Sequence, residues 1–252
     1  MSHTPIFYQH KGLWERRGAL PQWIEIACGN IPTSLNNAQK YYDNEGYNIW
    51  HYWANSVAPE SSWDLLRKCI GNQHDLDCAH NGEHPLHRIL LSSKMEAASL
   101  WLKNADTPFF ATMFLDTFWH SLAWSGNLDL LKQIAPHLPA DNINAQDEVG
   151  TTPLIVACHR GSIEFVKEFL FLGADPNICD EQKRSVLHHI ALYGDISNYT
   201  EMQDFGATDD LRNERGQTPQ TVLKDRMKHG TASDFESTRL YWEKKWAAKL
   251  MF

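Results

Sequence analysis

One stretch, Asp147 to Cys179, constrains the fold of this chain more than any other. It reads DEVGTTPLIVACHRGSIEFVKEFLFLGADPNIC. Thr152 is a residue type that caps helices, and Pro153 fits the first helical turn, where its missing N–H goes unused. Leu154, Ala157 and Cys158 then fall on one helical face, the last two small enough for close packing. Gly161 is placed to end that helix. A second apolar stripe runs through Ile163, Phe165, Val166, Phe169 and Leu170, and Gly173 ends it in a left-handed cap. Such a helix pair is too small to make a core alone, so the same pattern is expected in its neighbours.

The ordered series Gly150, Thr152-Pro153-Leu154, Ala157-Cys158, Gly161 and Gly173-Ala174-Asp175-Pro176-Asn177 resembles one ankyrin repeat, a β-turn followed by two antiparallel helices. Used as a ruler, it finds downstream Ser185-Val186-Leu187-His188, Gly194 and Gly206-Ala207, then Gly216-Gln217-Thr218-Pro219 with Val222 and Leu223. Upstream it finds Trp119-His120-Ser121-Leu122-Ala123 before Gly126, then Gly82-Glu83-His84-Pro85-Leu86-His87, then Gly46 with Ile49-Trp50-His51. One position recurs as His51, His87, His120, Ile155 and His188, at intervals of 36, 33, 35 and 33 residues. The resemblance covers Asp43 to Gly230 and implies an all-α ankyrin-repeat solenoid of about five to six helix-turn-helix repeats. Their boundaries fall near 43–78, 79–111, 112–146, 147–179, 180–212 and 213–230. The flanks are expected to be divergent caps: residues 1–42 with short helices at Pro21–Gly29 and Ser34–Tyr42, and a C-terminal helix in 231–252 opened by Ser233-Asp234-Phe235-Glu236.

Composition excludes several function classes. The formal net charge of −8 and pI near 5.9 argue against a general nucleic-acid binder, which needs a basic face. Five cysteines form no paired framework, and Cys158 falls on a core position, so reduced thiols and a cytoplasmic location are expected. The most apolar stretch, Pro108 to Trp124, contains Asp116, Thr117, His120 and Ser121; it reads as a buried helical region and not a membrane span. Ten tryptophans exceed what regular repeats need, so some are expected to fill irregular cores and others to face partners.

Three clusters suggest chemistry. His74, Cys78, His80, His84 and His87 lie close together, but their spacing matches no standard zinc pattern. His87 holds the recurrent His position and His84 replaces the Thr before Pro, so a structural role without metal or cofactor is expected. His188-His189 with Asp180 or Asp195 resembles a general base, yet His188 is again the repeat His. Cys158 and His159 are adjacent on a helix and diverge by about 100°, which does not form a nucleophile pair. No glycine-rich phosphate loop or Gly-x-Ser-x-Gly elbow is present, and Asp209-Asp210 sits at a turn. The chain is therefore expected to be no enzyme; a catalytic alternative would need a site outside the repeats.

The informative positions are those that the repeat leaves over. In ankyrin proteins, the turn tips and the inner-helix ends form a concave binding face. Carried over to this chain, that resemblance marks Trp124, His159, Arg160 and Tyr193 on inner helices, and Tyr47, Glu148, Arg184 and Arg215 at turn tips. Trp, Tyr and Arg are the types that anchor interfaces, although Trp124 and Tyr47 compete with a packing role. The implied function is non-catalytic binding of another protein, one with a basic surface given the acidic chain, with neither nucleic acid nor membrane as partner. The irregular upstream repeats resemble compact bacterial ankyrin proteins. This points first to an immunity protein that occludes a secreted toxin, with a host-directed effector as the alternative. Replacing both Trp124 and Arg160 by Ala is expected to abolish partner capture.

Overall fold

A computed structural model of the chain describes residues 25–26, 30, 42–54, 62, 84–104, 117–160, 162–193 and 197–229. The expected N-terminal helices fall largely, and the C-terminal cap entirely, outside these residues. Ten α-helices and no strand occur among the described residues. The chain divides into two compact units, residues 1–125 with 132–138, and residues 126–131 with 139–252.

The first unit holds α1 (Ile49–Ala54), α2 (Pro85–Leu91), α3 (Met95–Asn104) and α4 (Phe118–Ser125). Helix α2 packs against α1, α3 and α4. Its core is aromatic: Trp50, Trp53, Trp119 and Phe118 are all buried. Trp50 takes the place of the repeat leucine, and the nearby Trp53 ring has its polar edge satisfied, its indole N–H donating to Ser62 Oγ at 2.9 Å. The helix expected from the apolar stretch 108–124 is α4, whose residues Phe118 to Trp124 are all buried.

Helix α5 (Leu128–Ile134) straddles the boundary between the units. Two single-turn 3-10 helices follow, Ala135–His137 and Ala140–Asn142. The second unit then carries α6 (Pro153–Arg160), α7 (Ile163–Phe171), α8 (Val186–Tyr193), α9 (Ser197–Asp204) and α10 (Pro219–His229). Helix α6 packs on α7 and α8, and α8 packs on α9 and α10. Thr152 Oγ1 accepts the Ile155 N–H at 3.3 Å, as the sequence suggested. Ser162, not anticipated as a cap, accepts the Phe165 N–H and starts α7. Gly173 adopts φ +99°, the left-handed cap expected of it.

The recurrent histidines are framework. Nδ1 of His51, His87, His120 and His188 accepts the backbone N–H of the residue three positions earlier, at 3.1, 3.3, 3.1 and 3.2 Å. For His188 this leaves the proton on Nε2, which donates to the Gln217 carbonyl of the next turn at 3.0 Å. His84 is the N-cap of α2 and accepts the Leu86 N–H on Nδ1. His74, Cys78 and His80, the rest of that cluster, lie outside the described residues.

A second ladder was not anticipated. Asp43, Asp147, Asp180 and Asn213 each place Oδ1 to accept the backbone N–H groups two and four residues later, at 2.8–3.0 Å. The residue three positions after each sits in the left-handed region: Gly46, Gly150 and Gly216, but Lys183 at φ +57°. A side chain in that region costs about 1–2 kcal/mol, and glycine gives back part of the gain as chain entropy. Lys183→Gly is therefore expected to stabilise the fold by about 0.5–1 kcal/mol, read as a higher urea midpoint with unchanged slope. An unchanged or lower midpoint would mean that Lys183 contributes contacts that offset its backbone strain.

Candidate partner-binding face

In the second unit the turn tips are tied in sequence. The Glu181 N–H donates to the Val149 carbonyl at 3.1 Å, and the Glu214 N–H donates to the Gln182 carbonyl at 3.0 Å. The chains pass so closely that a Cβ on Gly150 would lie 2.6 Å from the Glu181 nitrogen. At the far end of each repeat, Asn144 bonds the Gly173 carbonyl and the Asp175 N–H, and Asn177 does the same for Gly206 and Thr208. Both ladders fix the spacing of successive tips, so side chains projecting from them start from a rigid base.

Asp180 is the hub of this face. Its Oδ1 holds its own turn, while its Oδ2 accepts from Arg184 Nε and Nη2, each at 2.7 Å, and from His189 Nε2 at 3.0 Å. An ionised carboxylate only accepts, so His189 carries its proton on Nε2 and its Nδ1 is left to accept. His159 Nε2 lies 3.2 Å from that Nδ1 and donates to it. The chain Arg184–Asp180–His189–His159 thus joins two consecutive repeats. Burial alone would raise the Asp180 carboxyl, but the hydrogen bonds from His189 and Arg184 outweigh it and hold the carboxyl well below the usual range. Burial lowers His189 against the opposing pull of Asp180. Burial, then the nearby His189 and Arg184 charges, lowers His159 far below its ordinary value. Both imidazoles are neutral at pH 7.

These contacts sort the residues expected to meet a partner. Arg160, Arg215 and Glu148 are exposed. Arg184 is half-buried and held by Asp180, so it presents a fixed edge and not a mobile side chain. His159 is half-buried and committed to His189; the sequence placed it as surplus to the repeat because its mate lies thirty residues away. Tyr193 ends α8, and its side chain is outside the described set. Two expectations are corrected. Trp124 is only 7% exposed and Tyr47 only 3%. Tyr47 stacks under the Arg88 guanidinium, 4.8 Å from the ring centroid, and meets His51 edge-on. Both fill the core of irregular repeats, the role that competed with binding, and neither offers a partner more than a sliver of ring.

The tempting catalytic pairs also resolve into structure. Cys158, expected at a core position, is half-buried. Burial still pushes its thiol up to about 12, so it is a protonated thiol and not a nucleophile at neutral pH. His188 spends both ring nitrogens on turn backbone. Among the described residues no helix is long and apolar enough to cross a membrane.

Helix pairs of repeated length, linked through their turns by recurrent Asp and His side chains, define a helical repeat array. A family model described as ankyrin repeats, in three copies, matches residues 119–209. Residues 119–209 of the chain are therefore ankyrin repeats. It is 34% identical to the zebrafish (Danio rerio) neurogenic locus notch homolog protein 1 over 150 residues, which is 60% of this chain and 6% of that protein. It is 47% identical to human (Homo sapiens) DNA-binding protein RFXANK over 70 residues, 27% of this chain and 26% of that one. Mouse (Mus musculus) NF-kappa-B inhibitor delta is 44% identical over 52 residues, 21% of this chain and 16% of its own length. The chain thus spans only a small part of each of these relatives.

Proposed function

We propose that the chain is a non-catalytic protein-binding module whose contact surface is the row of turn tips and inner-helix ends in the second unit. The observation that carries this reading is the combination of two exposed arginines, Arg160 and Arg215, with a backing frame of buried hydrogen bonds centred on Asp180. A rigid base reduces the ordering cost of association, and arginine is among the residue types that anchor interfaces. The formal charge of −8 suits a partner with a basic surface. Within this reading, occlusion of a secreted toxin in a bacterial setting is the finer proposal. An acidic module covering a basic enzyme needs no chemistry of its own.

Capture from the source cell tests the proposal. The double variant Arg160→Ala, Arg215→Ala is expected to lose the captured partner while its circular dichroism matches wild type; capture at wild-type strength would exclude this face. The captured partner's association rate should fall several-fold as salt rises from low to physiological ionic strength, because exposed charges are screened over about 8–10 Å. A salt-independent rate would remove charge from the account.

A further inference from the structure

Between the turn at Asp180–Arg184 and the turn at Asn213–Gln217 the second unit holds a cavity of about 250 Å³. Gln182, Arg184, Leu192, Asn213, Glu214, Arg215 and Gln217 line it. Its size is below the ~300–1,000 Å³ of pockets that enclose whole small molecules, so it admits one side chain or chain end. Several lining groups are already committed. Asn213 Oδ1 holds its turn, and the Gln217 side-chain amide donates to Asp225. Arg184 contacts Asp180 through Nε and Nη2, and Nη1 takes no part in that pairing. The Arg215 side chain has no hydrogen-bond or ion-pair partner among the described residues.

We infer that this cavity is a binding subsite for a single carboxylate, supplied by an acidic side chain or a chain terminus of the partner protein. The uncommitted groups are mostly donors, a full guanidinium at Arg215 and the remaining amino group of Arg184, and donors of this geometry match a planar carboxylate. Arg184 is held in place by a buried acceptor, so it needs no ordering when the ligand arrives. Glu214, which also lines the cavity, adds a negative charge that disfavours a doubly charged group such as phosphate. Leu192 supplies an apolar surface for the stem of an acidic side chain. The subsite rests on the protein-binding reading above and sharpens it: a largely basic partner surface carries one acidic residue at this point.

The test uses small probes on the full chain, followed by amide NMR shifts. N-acetylglutamate N-methylamide represents a side-chain carboxylate, and N-acetylglycine represents a chain end. The neutral N-acetylglutamine N-methylamide and inorganic phosphate are the controls. At least one carboxylate probe should give saturable shifts at Gln182, Leu192 and Arg215, and the stronger of the two identifies the source. Arg215→Gln should weaken that binding about five-fold, the scale of a partly exposed charge pair. Glu214→Gln should strengthen it and admit phosphate. Equal shifts from the neutral probe, no saturation with either carboxylate, or indifference to Arg215→Gln would each overturn the subsite. These titrations need no protein partner. A failed capture experiment therefore counts against the module, and a failed titration against the subsite alone.

Discussion

Asp180→Ala is expected to cost about 3–5 kcal/mol, the scale for breaking a buried charged pair by removing one partner. Its side chain is 2% exposed and serves two systems at once. Oδ1 satisfies the Gln182 and Arg184 N–H groups, and Oδ2 meets the Arg184 guanidinium and His189. Alanine strands all of them, and His189 has no water to turn to because it is fully buried. Asp180→Asn separates the two systems. Asn213 holds the equivalent turn in the next repeat, which shows that an amide oxygen suffices for the backbone part. The asparagine variant should therefore keep the turn and lose the charge, falling between wild type and alanine by urea unfolding. If asparagine matches wild type, the Arg184 and His189 contacts add nothing; if it matches alanine, the turn adds nothing.

Acidification is expected to unfold the second largest share of stability. Burial lowers His84 from its ordinary 6.5 to about 4. His159, His188 and His189 are lowered as well, by burial first in each case. A histidine that cannot take a proton until low pH when folded takes one near 6.5 when unfolded. The unfolded chain then binds more protons, and stability falls as pH drops from about 6.5 toward 4. His84 alone contributes about 3 kcal/mol across that window. The other three act in the same direction. Asp180, held below the usual carboxylate range, removes a further share once pH falls below about 4. For a domain of ordinary stability, loss of this size brings the unfolding transition into the window between pH 4 and 6.5. Urea midpoints measured across that range should fall steadily, while His84→Gln should flatten the slope. A midpoint constant from pH 7 to 4 would contradict the burial of these rings.

The fold was readable because its signals repeat. Pro153, Gly173 and the series His51, His87, His120 and His188 each occupy a position whose backbone geometry favours that residue type, and repetition removed chance from the pattern. The Asp147, Asp180 and Asn213 ladder was equally present at a constant 33-residue spacing. It passed unread because Asp and Asn at turns look ordinary one at a time. Lys183 escaped for the opposite reason: it occupies a glycine position without being glycine.

The binding face was less legible. A repeat register assigns a residue to a face, but whether it remains available depends on the neighbouring repeat. His159, expected to be open to a partner, is tied to His189. Trp124 and Tyr47 hold positions that a regular repeat leaves open, and here they close gaps in a core built with unusually large rings. Arg160 and Arg215 are exposed, as long charged side chains usually are.

Partners are proposed to dock on the turn tips and inner-helix ends of the second unit. Hydrogen exchange on the complex with a captured partner tests this docking most directly. Added protection is expected at residues 148–151, 159–160, 181–184 and 214–217, with α7 and α9 unchanged. Protection concentrated on α7 and α9, with the turn tips exchanging as in the free protein, would contradict it.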